Sequence, residues 1–146
     1  MATRQEIQIA LDLIKLVNVP NDMLLSAGAP VARGELKVTE GGVGDQTQRD
    51  MSVDERKANI ARLNNQVKGY SQKMQSFLAK HRMQATAGLA VFGLDVDALE
   101  ADMQVIQTAS TDMAATAAAA KDLAALAVVA TNIERDTPAL PLVRKG

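Results

Sequence analysis

The sequence predicts an all-α protein: a long antiparallel helical hairpin of coiled-coil type, preceded by a short amphipathic helix and a Gly-rich extended arm. Three observations carry this. Ile60, Leu63, Val67, Tyr70, Met74, Phe77 and His81 recur at alternating spacings of three and four, the seam of a helix that buries one stripe against another helix. A second apolar series, Leu99, Met103, Ile106 and Met113, continues through Ala117, Ala120, Leu123, Leu126 and Ile133 and supplies the partner. Alanine makes up about a sixth of the 146 residues and aromatics only 2%, so the 47% apolar content is mostly small side chains suited to closely packed helices.

The first element, within residues 1–28, opens with a capping box, Thr3 and Glu6. Ile7, Ala10, Leu11, Ile14 and Val17 then share one helical face, while Ile9, Leu13 and Leu16 widen it, so a covering surface is required. Asn18 and Pro20 are expected to end this helix, with a brief turn over Asn21 to Ala27 closed by Gly28 and Pro30. Residues 29–51 read as a linker or extended arm. They hold Gly34, Gly41, Gly42 and Gly44, and only Glu35-Leu36-Lys37-Val38-Thr39-Glu40 alternates as a strand does.

The hairpin occupies 52–137. Ser52 and Glu55 form a second capping box, and the helix they open is expected to run to Phe92 with Gly93 as its stop. The turn falls near 93–95, where Asp95 caps the second arm, which is read as continuous to Thr137-Pro138; residues 138–146 are a tail. Matched arms give a register with Phe92 opposite Val96, Phe77 near Thr111, Met74 near Ala114, Tyr70 near Ala118 and Leu63 near Ala125. Gly69 then meets Ala119, where two helix axes approach closely. Charge supports the pairing: Arg56, Lys57, Arg62, Lys68, Lys73, Lys80 and Arg82 face an acidic second arm with Asp95, Asp97, Glu100, Asp102 and Asp112.

Chemistry-bearing motifs are sparse. Without Cys there is neither a disulfide framework nor a Cys-type zinc site, and His81, the single histidine, has no second ligand. His81 reads as a polar break in the seam, hydrogen-bonded to Gln107, with pH sensing as the sharper alternative. The glycines of 34–44 lack the GxxxxGK[ST] pattern of a phosphate loop, and no Glu-x-x-His pair supports a di-iron site. A two-arm coiled coil encloses little volume for a catalytic pocket. The expectation is a non-enzymatic protein with no catalytic, metal or cofactor residues. The interface residues are Ile60, Leu63, Val67, Tyr70, Met74, Phe77, Leu99, Met103, Ile106 and Met113.

Two functional classes follow. Val105, Val128, Val129, Leu89 and Val91 leave more apolar surface than two helices cover, which predicts self-association or docking into an assembly. The alternative is a delivery or binding module. It would grip nucleic acid through Arg56, Lys57, Arg62, Lys68, Lys73, Lys80 and Arg82, or enter a membrane through Met113 to Ala130. Against it, the cations are read as spread round the helix, the net charge is -1, and Lys121 and Asp122 interrupt the Ala-rich stretch. The N-terminal residues lack a signal-peptide pattern, so synthesis in the cytoplasm is expected. Enrichment in Gln, Ala, Met and Thr, Gly-rich arms and an Ala-rich helix together resemble small structural proteins of tailed bacteriophage particles, of connector, tail-associated or internal ejection type. That resemblance implies a virion component, partnered by copies of itself and by other structural proteins.

Overall fold

A computed structural model describes residues 2–35, 37–42, 44 and 46–137. Helix dominates them, in keeping with the all-α class. The elements are α1 (Arg4–Met23), a π-helical turn (Leu24–Gly28), α2 (Ala29–Arg33), β1 (Lys37–Glu40), β2 (Thr47–Asp50), α3 (Val53–Ala90), α4 (Val96–Ala119) and α5 (Leu123–Asp136).

Thr3 starts α1: its hydroxyl accepts the Glu6 N–H at 3.1 Å, and the Glu6 carboxylate accepts the Thr3 N–H at 2.7 Å. The helix does not stop at Asn18 and Pro20. It passes through a buried Pro20 to Met23, widens so that the Ala29 N–H donates to the Leu24 carbonyl, and resumes as α2. Proline inside a helix costs about 3 kcal/mol. Packing offsets that cost, because Leu24, Val31 and Ala32 behind the proline are all buried, and a buried Leu or Val contributes about 1.5–3 kcal/mol. Gly28 is therefore a packing residue rather than a stop: a β-carbon there would sit 3.3 Å from the Met113 sulfur and 3.4 Å from Ile133 Cδ1. The stop is Gly34, at φ 83°.

The segment read as an arm is thus partly helical, and β1 and β2 within it form a two-stranded ribbon. Lys37, Val38, Thr39 and Glu40 pair with Asp50, Arg49, Gln48 and Thr47 in antiparallel register. Arg49 joins the ribbon to the start of α3, donating to Glu40 at 2.6 Å and to both Glu55 carboxylate oxygens at 2.6 and 3.0 Å. Leu36 of the alternating segment lies outside the described residues.

α1 and α2 run antiparallel to α3: Glu6 and Ala10 lie against Gly88, Gly28 beside Leu63, and Gly34 against Arg56. α3 ends at Ala90, and the turn to α4 is closed by Gly93 at φ 70°. The Gly93 N–H donates to Ala90 at 3.1 Å and the Leu94 N–H to Leu89 at 3.0 Å, the paired bonds of a Schellman stop. Asp95 caps α4, accepting the Asp97 N–H at 2.8 Å.

The expected continuous second arm is broken. Ala120 turns extended and Asp122 caps a new helix, accepting the Ala125 N–H at 2.8 Å. Leu126, Val129, Ala130 and Ile133 form a stripe that is buried only because α5 folds back along α4 and onto α2. Lys57 Nζ donates to the freed Ala120 carbonyl at 2.9 Å, and Arg33 pairs with Glu134 across α2 and α5. Thr137 caps α5; Pro138 and the rest of the 138–146 tail lie outside the described residues.

The α3–α4 register also differs from the one that matched arms predict. Ser71 meets Gln107 at 2.9 Å and Asn64 meets Ser110 at 2.8 Å, so each α3 position faces a residue nearer the turn. Buried polar groups that must find partners fix this alignment, which apolar spacing leaves free. Gly69 then meets no Ala119: a β-carbon there would have nothing within 4 Å.

Candidate interaction surface

The expected seam divides into two rows. Ile60, Val67 and Met74 are buried in α3, as are Leu99, Met103, Ile106 and Met113 in α4. Leu63, Tyr70, Phe77 and His81 form the second row, half-buried, with Leu63 beside Gly28 of the π turn. Of the surplus apolar residues, Leu89 and Val129 are fully buried, whereas Val91, Val105 and Val128 stand 56%, 45% and 52% exposed.

The seven cations separate by partner. Arg56 is buried beneath Gly34 with its Nε donating to the Met51 carbonyl at 3.1 Å, and Lys57 is held by Ala120. Arg82 crosses to α4, 2.8 Å from Glu100 and 3.7 Å from Asp97. These three serve the fold and are poor contacts for any polyanion. Arg62 bonds the Asn59 side chain, and neither it nor Lys68, Lys73 or Lys80 pairs with a carboxylate among the described residues.

The cations are not simply spread round the helix. Arg62, Lys73 and Lys80 are 11 and 7 residues apart, about three and about two turns, and so stand in line on one face. Asn64 and Ser71, which meet α4, lie on the opposite side at about 100° per residue. The outward line runs beside the half-buried aromatic row. Lys73 Nζ lies 5.1 Å over the Tyr70 ring, within cation–π range, and the Phe77 and His81 rings are 5.0 Å apart at 57°. His81 makes no bond to Gln107, which instead accepts the Ser71 hydroxyl. Its backbone leaves helical values at φ -129°, ψ 18°, kinking α3. Gly69, Lys73, Ser76, Phe77, Lys80 and His81, all on α3, line an open surface hollow.

Gly69, Gln72 and Ser76 on this surface were not legible as site residues by type. The signal that finds them is the in-line spacing of the three cations flanking a glycine. Chemically, the hollow offers ammonium groups, an aromatic edge and the amide of Gln72 to a partner that brings carboxylates or phosphates together with apolar contact.

The other flank has the complementary sign. A shallow groove of about 350 Å³ along α4 and the end of α5 is lined by Gln104, Val105, Thr108, Ala109, Asp112 and Asp136. Asp136 is paired with Arg135 at 2.8 Å and its carboxyl is held below the ordinary range by that bond, whereas Asp112 has no cationic partner among the described residues. Nearer the α4–α5 break, Ala115, Thr116, Ala119, Ala120, Ala125 and Val128 line a third, apolar depression. Among the described residues no helix is long and apolar enough to cross a membrane, and the Met113–Ala130 stretch is interrupted at 120–122. No protein-family model, no curated protein and no solved structure matches this chain.

Proposed function

We propose that this chain is a non-enzymatic assembly protein that self-associates or docks into a large multisubunit complex, a virion component of the tailed-phage type that its composition resembles. Its mating element is the antiparallel α3–α4 hairpin, and the β1–β2 ribbon is its projecting arm. The observation that carries the reading is the α3 hollow. Arg62, Lys73 and Lys80, which no carboxylate of the described residues neutralises, stand on the face of α3 turned from α4, and half-buried Tyr70 and Phe77 flank them. Tyr70, Phe77 and Arg62 are of the residue types that carry interface energy, and the lysines add charge that orients a partner.

Light scattering on a sizing column, at two protein concentrations, tests it. A defined multiple of 15.5 kDa is the expected result. A monomer at both concentrations would remove self-association. The runner-up, nucleic-acid delivery, draws on the same Arg62, Lys73 and Lys80. It predicts retention on DNA that weakens steeply with salt, and absence of retention removes it.

A further inference from the structure

We infer that the occupant of the α3 hollow is the outer face of α4 from a second copy of this chain, so that copies join head to tail. The inference rests on the self-association reading above and adds which surface meets which.

Charge segregation is its basis. α3 carries no acidic residue from Lys57 to His81, and α4 carries no Lys or Arg from Val96 to Ala119. Adjacent helices of opposite sign would be expected to neutralise each other within the chain. Among the described residues only Arg82 reaches the α4 acids, while Arg62, Lys73 and Lys80 point away from α4 and Asp112 points to the opposite flank. Complementary charge left unspent on two separate faces is what a second copy can satisfy.

Shape agrees with charge. The exposed face of α4 presents Val105 between the small residues Ala101 and Thr108, so another helix can approach closely there. Val105 and Asp112 are seven residues apart, as are Lys73 and Lys80, and each pair spans about 10 Å along its helix axis. A valine entering the hollow against Phe77, with a carboxylate one heptad away among the lysines, uses both features at once. Because the donor and acceptor faces are different patches, the contact is heterologous and builds rings or filaments rather than closing as a two-fold dimer.

Two variants test this. Lys73→Glu with Lys80→Glu disables the α3 face, and Thr108→Trp disables the α4 face by bulk without changing its charge. All three positions are exposed, and helical circular dichroism should match the wild type. Each variant alone should be monomeric. Mixed, they retain one good face each and should stop at a 1:1 complex of twice 15.5 kDa. Wild-type-like assembly by either variant overturns the inference and leaves the assembly reading intact; a mixture that stays monomeric overturns α4 as the occupant. A wild type that is itself monomeric overturns the self-association reading beneath it. Loss of DNA retention in the Lys73→Glu, Lys80→Glu variant of such a monomer would assign the hollow to nucleic acid instead. Salt supplies a check that needs no variant: the wild-type mass should fall once salt exceeds about 0.5 M, where screening lengths shrink to a few ångströms, and a salt-insensitive mass overturns the inference.

Discussion

Gly88 of α3 lies against the backbone carbonyl of Glu6 in α1, so close that a β-carbon at 88 would overlap the oxygen and stand 2.8 Å from Ala10 Cβ. The absence of a side chain there lets the first turn of α1 seat on the far end of α3. Gly88→Ala gains about 1 kcal/mol of helix propensity but must push two helix backbones apart, an overpacking cost of about 1–3 kcal/mol or more. A β-carbon that overlaps a backbone oxygen puts the cost at the upper end, so the net expectation is a loss of about 2 kcal/mol or more, read as a lower urea midpoint. An unchanged or raised midpoint would mean that α1 does not seat on α3 at this point.

Gly69, nineteen residues earlier in the same helix, predicts the reverse. It has ordinary helical surroundings, and a methyl group added there would meet nothing among the described residues within 4 Å, so the glycine contributes only backbone entropy. Gly69→Ala should raise stability by about 1 kcal/mol in the same titration. A loss instead would indicate that the hollow is already filled by something a methyl displaces.

Both contrasts bear on what was legible in the sequence. The capping boxes at Thr3/Glu6 and Ser52/Glu55 and the stop at Gly93 could be read directly, because each is a local event between residues a few positions apart. The path of the chain through Pro20, the break at Ala120–Asp122 and the α3–α4 register could not. Each is decided by burial of residues distant in sequence: Leu24 and Val31 for the first, Leu126 to Ile133 for the second, Asn64 and Ser71 for the third. Leu63, Tyr70 and Phe77 were recognisable as apolar and periodic, but spacing alone does not tell a buried row from a half-exposed one beside it. The cations were visible, whereas their division into internal partners and an outward line depends on which side α4 occupies.

The Ser110 hydroxyl donates to Asn64 Oδ1 at 2.8 Å, with Ser110 fully buried and Asn64 8% exposed. Removing the asparagine leaves a buried hydroxyl without its acceptor, a cost of about 1–3 kcal/mol. Asn64→Ala is therefore expected to destabilise more than Ser110→Ala combined with it, and the double-mutant cycle should give a coupling of about 0.5–1.5 kcal/mol. Additive effects would mean that the pair does not fix the register.

Glu55 supplies a pH signature. Its carboxyl accepts the Arg49 guanidinium and the Ser52 N–H, and the Arg49 bond above all holds it down from 4.5 to about 2. A lowered folded-state value means that the unfolded chain takes up the proton first. The contribution is complete above the ordinary carboxylate range and is lost as pH falls through about 2. Wild-type stability should therefore fall more steeply than that of Glu55→Gln between those limits, followed by urea midpoints at stepped pH. Parallel curves would show that Arg49 does not hold the ribbon to α3 in solution.

Asp102 predicts the opposite sign. One of its carboxylate oxygens is enclosed with no hydrogen-bond partner among the described residues, and burial pushes its carboxyl above the ordinary value of 3.8. The folded protein then binds the proton more readily than the unfolded chain, so the charged carboxylate opposes folding increasingly as pH rises through and beyond that ordinary value. Asp102→Asn removes the charge while keeping the shape. It should raise the urea midpoint at neutral pH and lose that advantage in acid, where the wild-type carboxyl is also neutral. A stabilisation equal at both pH values would point to better hydrogen bonding by the amide rather than relief of a buried charge. A destabilisation at neutral pH would mean that the carboxylate has a cationic partner in solution, which among the α4 acids would make Asp102 a second anchor alongside Glu100.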